Sequence, residues 1–166
     1  MRFSFVSAAR ALAVSTIATA ASAAHAEAVT LSGGWVADFS PSMMEAPDRS
    51  TVVFTLDGSY KLQGLAAQAQ YFGVTCVGME TATKLTDGST KTKGSGRCEF
   101  KDRNGDRLLA AIGTAFDGIT FRFEGGTGRW RSARGTVVSR ETFTTEGERQ
   151  LKGFGDAKGE LIAGAP

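Results

Sequence analysis

The two cysteines, Cys76 and Cys98, are the residues whose chemistry is easiest to assign from the sequence. They are the only cysteines among the 166 residues. A redox pair usually has Cys-x-x-Cys spacing, and this spacing is absent here. A lone pair of cysteines in a small exported domain typically forms a structural disulfide, and the N-terminus described below indicates export. We therefore predict a Cys76–Cys98 disulfide.

An acidic turn follows the second cysteine, with Asp102, Asn104 and Asp106 at alternate positions. This spacing resembles the start of a calcium loop, which requires Gly at its sixth position and Glu at its twelfth. Arg107 and Gly113 occupy those positions, so the calcium motif fails. The Asn-Gly pair at 104–105 instead predicts a β-hairpin turn.

The glycine-rich run over 125–135 resembles a phosphate-binding loop only superficially. No Lys-Ser or Lys-Thr pair follows its glycines, and the third glycine of a dinucleotide loop is also missing. We predict a turn and one helical turn, with Trp130 packing into the core. The functional alternative is an anion pocket formed by Arg129, Arg131 and Arg134 beside backbone amides.

The N-terminus has the features of a secretory signal. Arg2 and Arg10 precede an uncharged, alanine-rich run over 11–21, and small-x-small cleavage patterns follow this run. The run is shorter than the ~20 residues that a membrane-spanning helix needs. An uncleaved amphipathic anchor is the alternative, but such an anchor carries charge on one face. We predict a signal peptide over 1–26, and hence a periplasmic or secreted protein with no membrane insertion after cleavage.

Removal of this signal changes which chemistries remain available. Lys+Arg falls from 19 to 17 and then equals Asp+Glu, so the charge balance does not indicate a nucleic-acid partner. The single histidine, His25, is also lost. This loss argues against nucleophiles activated by histidine and against most zinc or copper sites. The sequence identifies no catalytic residue, metal site or cofactor.

The remaining chain alternates between apolar and polar residues in short runs separated by glycine-containing turns. This pattern predicts an all-β fold, either an antiparallel up-and-down barrel of about eight strands or a sandwich, and we favour the barrel. The domain is predicted over 27–156, with a frayed tail over 157–166. Hairpin turns are predicted at 57–58, 104–105 and 117–118. The predicted strands cover 29–39, 51–56, 60 onward, 62–71, 74–82, 96–101, 108–113, 119–124, 136–143 and part of 144–156. A helix is the alternative over 62–71, and the polar segment over 83–95 is predicted to be a hairpin loop.

Two segments, GRCEFKDRNGDR at 96–107 and FEGGTGRWRSARGT at 123–136, carry a family resemblance. They resemble a pattern in small exported bacterial proteins of the allene oxide cyclase-like, calycin-type barrel superfamily. The resemblance covers about residues 74–143 and implies an eight-stranded antiparallel barrel. The plant cyclases of this superfamily bind an apolar fatty-acid epoxide and use a buried carboxylate. The resemblance matches that carboxylate to no position of this sequence.

Three functions follow as hypotheses. The first is non-enzymatic binding of a small apolar ligand inside the barrel. The second is an envelope interaction protein, with homo-oligomers forming through the doubly apolar strand at 108–112. The third is a cyclase or isomerase on an apolar, fatty-acid-like substrate, using an inward carboxylate or tyrosine such as Glu80, Tyr71 or Asp38. The candidate ligand contacts are Trp35, Phe54, Tyr71, Glu80, Phe121 and Phe123.

Overall fold

The protein is described by a computed structural model covering residues 25–65, 69–115 and 118–163, without the side chain of Met44. These residues form nine strands and one short 3-10 helix, Gly128–Trp130. The strands are β1 (Glu27–Phe39), β2 (Met44–Ala46), β3 (Arg49–Gln63), β4 (Gln70–Lys84), β5 (Thr90–Asp102), β6 (Arg107–Ala115), β7 (Gly118–Gly126), β8 (Arg134–Thr145) and β9 (Gln150–Ile162).

The strands close into an eight-stranded antiparallel barrel, which confirms the predicted fold class. The sheet order is β1-β9-β8-β7-β6-β5-β4-β3-β2, and an additional pairing of β1 with β3 closes the ring. This closing pair runs from Thr30 opposite Gln63 to Phe39 opposite Phe54. The short β2 lies outside the ring and pairs only with the first residues of β3.

The alternation of residue types places the core inside the barrel. In β7, Ile119, Phe121 and Phe123 are buried, while the residues between them are more exposed. Successive strand residues point to opposite faces of a sheet, so this pattern sends the aromatic rings inward. The predicted disulfide is present, and Cys76 and Cys98 lie directly opposite each other on β4 and β5.

The Asn-Gly turn is confirmed, whereas the turn predicted at 57–58 is wrong. Gly105 has a φ of 86° and its N–H donates to the Asp102 carbonyl, as a tight hairpin requires. In contrast, Asp57 lies in the middle of β3, opposite Val36 on β1 and Thr75 on β4. Pairing along both edges of β3 overrides the local preference of Asp-Gly for a turn.

Three other boundaries differ from the prediction. The polar segment over 83–95 is mostly strand, because β4 ends at Lys84 and β5 begins at Thr90. Residues 64, 65 and 69 lie outside any strand, so the strand predicted over 62–71 is interrupted. The predicted tail is partly wrong, because β9 continues to Ile162 and buries Ala157 and Leu161 in the core.

Two predictions lie wholly or partly outside the described residues. The signal peptide over 1–26 is one of them, since description begins at residue 25. The turn at 117–118 is the other, since residues 116 and 117 are not described. Within the described part of the chain, no helix has the length and apolar character needed to cross a membrane.

Candidate functional site: the open half of the barrel

The barrel interior is divided into a packed half and an open half. In the packed half, aromatic rings meet edge to face, with the Phe100 and Phe121 centroids 5.4 Å apart. Such pairs stabilise a core beyond the area they bury. Phe121 and Phe123, two of the candidate ligand contacts, are completely enclosed in this packed half. The rings of this half belong to Tyr60, Phe72, Phe100, Phe121, Phe123 and Trp130.

Asp102 organises the closed end of the barrel. Its carboxylate accepts hydrogen bonds from the Trp130 indole at 3.1 Å and from the Arg129 guanidinium at 2.8 and 3.1 Å. The backbone N–H of Asn104 donates to the same carboxylate at 2.8 Å. The Arg129 guanidinium also lies 4.7 Å from the centre of the Trp130 ring. These contacts hold Trp130 in the core. This confirms the prediction that the glycine-rich run forms a turn and one helical turn with Trp130 packed inside.

The electrostatics of this end are those of a satisfied ion pair. Burial raises the pKa of the Asp102 carboxyl, but hydrogen bonds from Trp130, Asn104 and Arg129 outweigh it and hold that pKa below its ordinary value. Because Arg129 is paired with Asp102, the alternative of a three-arginine anion pocket receives no support. Arg131 is exposed, and Arg134 donates to the backbone carbonyl of Ala133 at 2.7 Å.

A cavity of about 290 Å³ occupies the other half of the barrel. It lies where β1, β4, β6 and β8 end and where β3, β5, β7 and β9 begin. Trp35 and Phe54, both predicted as ligand contacts, line it. Phe143, which is 50% exposed, lies at its edge. The main apolar lining consists of Trp35, Phe39, Phe54, Ile119, Phe143 and Leu151.

Glycines on neighbouring strands allow the two large rings to lie close against the barrel wall. A Cβ atom at Gly153 would lie 2.9 Å from the Trp35 Nε1 atom and closer still to the six-membered ring. A Cβ atom at Gly78 would lie 2.5 Å from the Phe54 Cζ atom. Both separations are below the ~3.5 Å of an ordinary contact. Close approach of a ring to the backbone therefore leaves the centre of this half open.

Two carboxylates enter this mainly apolar cavity. Glu80 on β4 accepts a hydrogen bond from the Thr114 hydroxyl at 2.9 Å. Glu141 on β8 accepts from the Trp35 indole at 3.3 Å and from the Ser139 hydroxyl. In the closed strand order, β4 and β8 are four strands apart in both directions. The two carboxylates therefore come from opposite walls.

Tyr60, whose ring packs against Phe100 and Phe121, carries a buried hydroxyl. Among the described residues, its Oη atom is the buried side-chain oxygen or nitrogen that lacks a hydrogen-bond partner. Burial raises the pKa of the Tyr60 phenol, and the Glu141 carboxylate raises it further. Tyr60 is thus a neutral hydrogen-bond donor without a hydrogen-bond partner in the described ranges.

The other predicted site residues differ in whether they line the cavity. Glu80 lines the cavity. Tyr71 does not, because its side chain is 62% exposed on the outer surface. Its parity in β4 is opposite to that of Val74 and Cys76, which point inward. Asp38 is also exposed and accepts a hydrogen bond from Gln150. No group of three or more potential metal ligands occurs in the described ranges.

Sequence reasoning missed Glu141 and Tyr60. Glu141 shares its parity with the inward residues Val137 and Ser139, so the alternation of β8 contained the signal. Tyr60 shares its parity with Leu56 and Leu62, but the erroneous turn at 57–58 interrupted that alternation. In both cases, an uninterrupted count along the strand predicts the inward position.

Comparisons with known proteins add a likeness in fold. No protein-family model matches the chain, and no curated protein matches it. Five solved chains match by structure. One is a pterocarpan synthase dirigent protein with 12% sequence identity and a TM-score of 0.46, and the match covers 84% of this chain and 94% of that chain. At this identity, the likeness assigns no activity and no residue roles.

Proposed function

We propose that this protein is a non-enzymatic binding protein that holds a small apolar molecule in the open half of its barrel. The cavity of about 290 Å³ is the observation that carries this proposal. An eight-stranded barrel is just wide enough for its side chains to fill it or for one small ligand to enter. Here one half is filled and the other is not. An engineered apolar cavity of ~150 Å³ holds benzene, so this larger cavity suits a two-ring molecule.

Isothermal titration calorimetry with 1-naphthalenemethanol, a neutral two-ring probe, tests this proposal. We expect saturable binding to the wild-type protein and at least tenfold weaker binding to Ala37→Phe, because Ala37 lines the cavity. Val138→Phe is the matched control, since Val138 points outward from β8 and is exposed. Thr92→Phe is a second way to fill the cavity if Ala37→Phe does not fold. Absence of binding to the wild type, or equal binding to a folded filled variant, would refute the proposal.

We also propose that the chain is exported and that it is related to the calycin-type barrels. The disulfide supports export, because disulfides persist mainly in oxidising compartments. The alternating, glycine-punctuated segments that close into an eight-stranded antiparallel barrel support the resemblance. Cell fractionation followed by intact-mass measurement tests export. The mature chain should begin at Glu27 if cleavage follows Ala26, whereas recovery of the full-length chain in the cytoplasm would contradict it.

The two other hypotheses receive less support. The proposed interaction strand, β6, presents one large apolar residue outward, Leu109, which is 45% exposed. The neighbouring Arg107 and Glu99 form an ion pair, so this surface is not uniformly apolar. An isomerase or cyclase retains a specific observation in its favour, since the Glu80 carboxylate faces the cavity. Proton transfer requires such a group within reach of the substrate.

A further inference from the structure

We propose that the molecule bound in the cavity is an organic cation, such as a protonated primary amine attached to an apolar body. This inference rests on the proposed binding function and specifies its ligand. Glu80 and Glu141 bring two carboxylates into the cavity from opposite walls. No lysine or arginine occurs among the described residues that line it. The cavity therefore has a negative charge that the described residues of its lining do not balance.

The existing partners of these carboxylates are all neutral. Thr114 donates to Glu80, while Ser139 and Trp35 donate to Glu141. Within the described residues, neither glutamate takes part in any of the ion pairs. A carboxylate has about four acceptor positions, so both retain capacity for another donor. Both glutamates are half-buried, and a ligand in the cavity would cover them further. Buried charges in proteins are usually paired, so a ligand cation would supply the missing partner.

The apolar part of the lining also suits a cation. Aromatic faces attract ammonium groups through the negative charge of their π systems. Trp35, Phe39, Phe54 and Phe143 all line the cavity, and the Trp35 indole is tied to Glu141 by its N–H. A charged amine entering here would meet rings and carboxylates together. An anionic ligand such as a fatty acid would meet the two carboxylates and be repelled, which opposes the fatty-acid-like substrate implied by the family resemblance.

Three naphthalene probes of nearly equal size separate charge from apolar fit. The probes are 1-naphthylmethylamine, which is cationic, 1-naphthalenemethanol, which is neutral, and 1-naphthoate, which is anionic. Titration calorimetry at neutral pH should rank their affinities in that order, with the amine at least about tenfold tighter than the alcohol. This factor corresponds to about 1.4 kcal/mol, within the range of a partly desolvated cation–π or charge-assisted contact.

The outcomes distinguish this inference from the binding function beneath it. If the alcohol does not bind to the wild type, the proposed function itself fails. If the alcohol binds as tightly as the amine, or the naphthoate binds more tightly, the cavity is a binding site but the cationic ligand is refuted. Only preferential binding of the amine supports both.

Glutamine variants test whether the two cavity carboxylates cause the preference for the amine. Glu80→Gln and Glu141→Gln each remove one negative charge with little change in shape, and each should reduce amine affinity several-fold while leaving the affinity for the alcohol unchanged. Glu160→Gln is the matched control, because Glu160 is exposed on the outside of β9 and its replacement changes the net charge equally. If Glu160→Gln weakens amine binding as much as the cavity variants do, a general charge effect replaces the proposed site. Circular dichroism verifies that each variant is folded.

Discussion

Replacement of Gly153 by alanine tests whether the close approach of Trp35 to the wall keeps the cavity open. The added methyl carbon would lie 2.9 Å from Nε1 of the indole and closer to two of its ring carbons. An ordinary contact needs about 3.5 Å, so the ring must move by more than about 0.6 Å. The ring cannot retreat through the wall, so we expect it to move into the cavity. The hydrogen bond from Trp35 to Glu141, already 3.3 Å long, should then break.

The expected energetic effect follows from two opposing terms. Replacing glycine by alanine in a strand normally stabilises a protein by roughly 0.5–1 kcal/mol. Insertion of a methyl group into occupied space destabilises it by about 1–3 kcal/mol. Gly73→Ala measures the first term alone, because Gly73 is exposed on β4 and a Cβ atom there would meet nothing within 4 Å. The free energies of unfolding of the two variants should therefore differ by about 1–3 kcal/mol.

Urea unfolding followed by circular dichroism measures this difference without relying on tryptophan fluorescence. The same proteins should be titrated with 1-naphthalenemethanol, and we expect weaker binding to Gly153→Ala only. Equal stability and equal affinity in Gly153→Ala and Gly73→Ala would refute the role assigned to the glycine. A loss of stability without any loss of affinity would show that the ring moves elsewhere and that the cavity does not depend on it.

Three further predictions concern buried residues outside the cavity. Asp102→Asn should lower the free energy of unfolding by about 2–3 kcal/mol at pH 7, because it breaks a largely buried ion pair. The folded-state pKa of Asp102 is lowered, so its contribution is present above the unfolded pKa of about 3.9 and is lost as the pH falls through the folded value. Urea unfolding at several pH values should thus show that the difference in free energy of unfolding between wild type and Asp102→Asn narrows below about pH 4. A difference that does not change with pH would contradict the role assigned to the Asp102 charge. Replacement of Cys76 and Cys98 by alanine should lower the free energy of unfolding, measured by urea unfolding, by about 3 kcal/mol. The reason is that a crosslink between residues with a sequence separation of 22 restricts the unfolded chain. Tyr60→Phe should raise the free energy of unfolding by about 1 kcal/mol, because it removes a buried hydroxyl that has no partner in the described part of the chain; a lower free energy would indicate a bound water or ligand there.

The sequence allowed the barrel to be predicted because strand alternation is a local signal. The alternation around Phe121 and the Asn-Gly pair at 104–105 each predict their structure from a few neighbouring residues. The disulfide also follows, since two cysteines permit only one pairing. Asp57 shows the limit of local reasoning, because its place within β3 depends on β1 and β4, which are distant in sequence from one another.

The division of the interior was beyond the reach of sequence reasoning for a different reason. Alternation tells which side chains point inward, but not the height at which each one lies in the barrel. Phe54 and Phe121 are both inward and aromatic, yet one lines the cavity and the other lies in the packed core. Their heights depend on the stagger between strands, which is a property of the closed barrel as a whole.

The residues at each level explain why one half is open, and they bear on function. On β5, Phe100 fills the packed half, whereas Thr92 lies at the level of the cavity; on β1, Ala37 occupies the cavity level. The open cavity of about 290 Å³ leaves part of its apolar lining unburied. Larger apolar side chains at these small positions would bury more apolar surface and so stabilise the fold. A barrel that needed only stability would therefore be filled at both ends, so the combination of small residues, wall-lying rings and unbalanced carboxylates favours a space kept for a ligand.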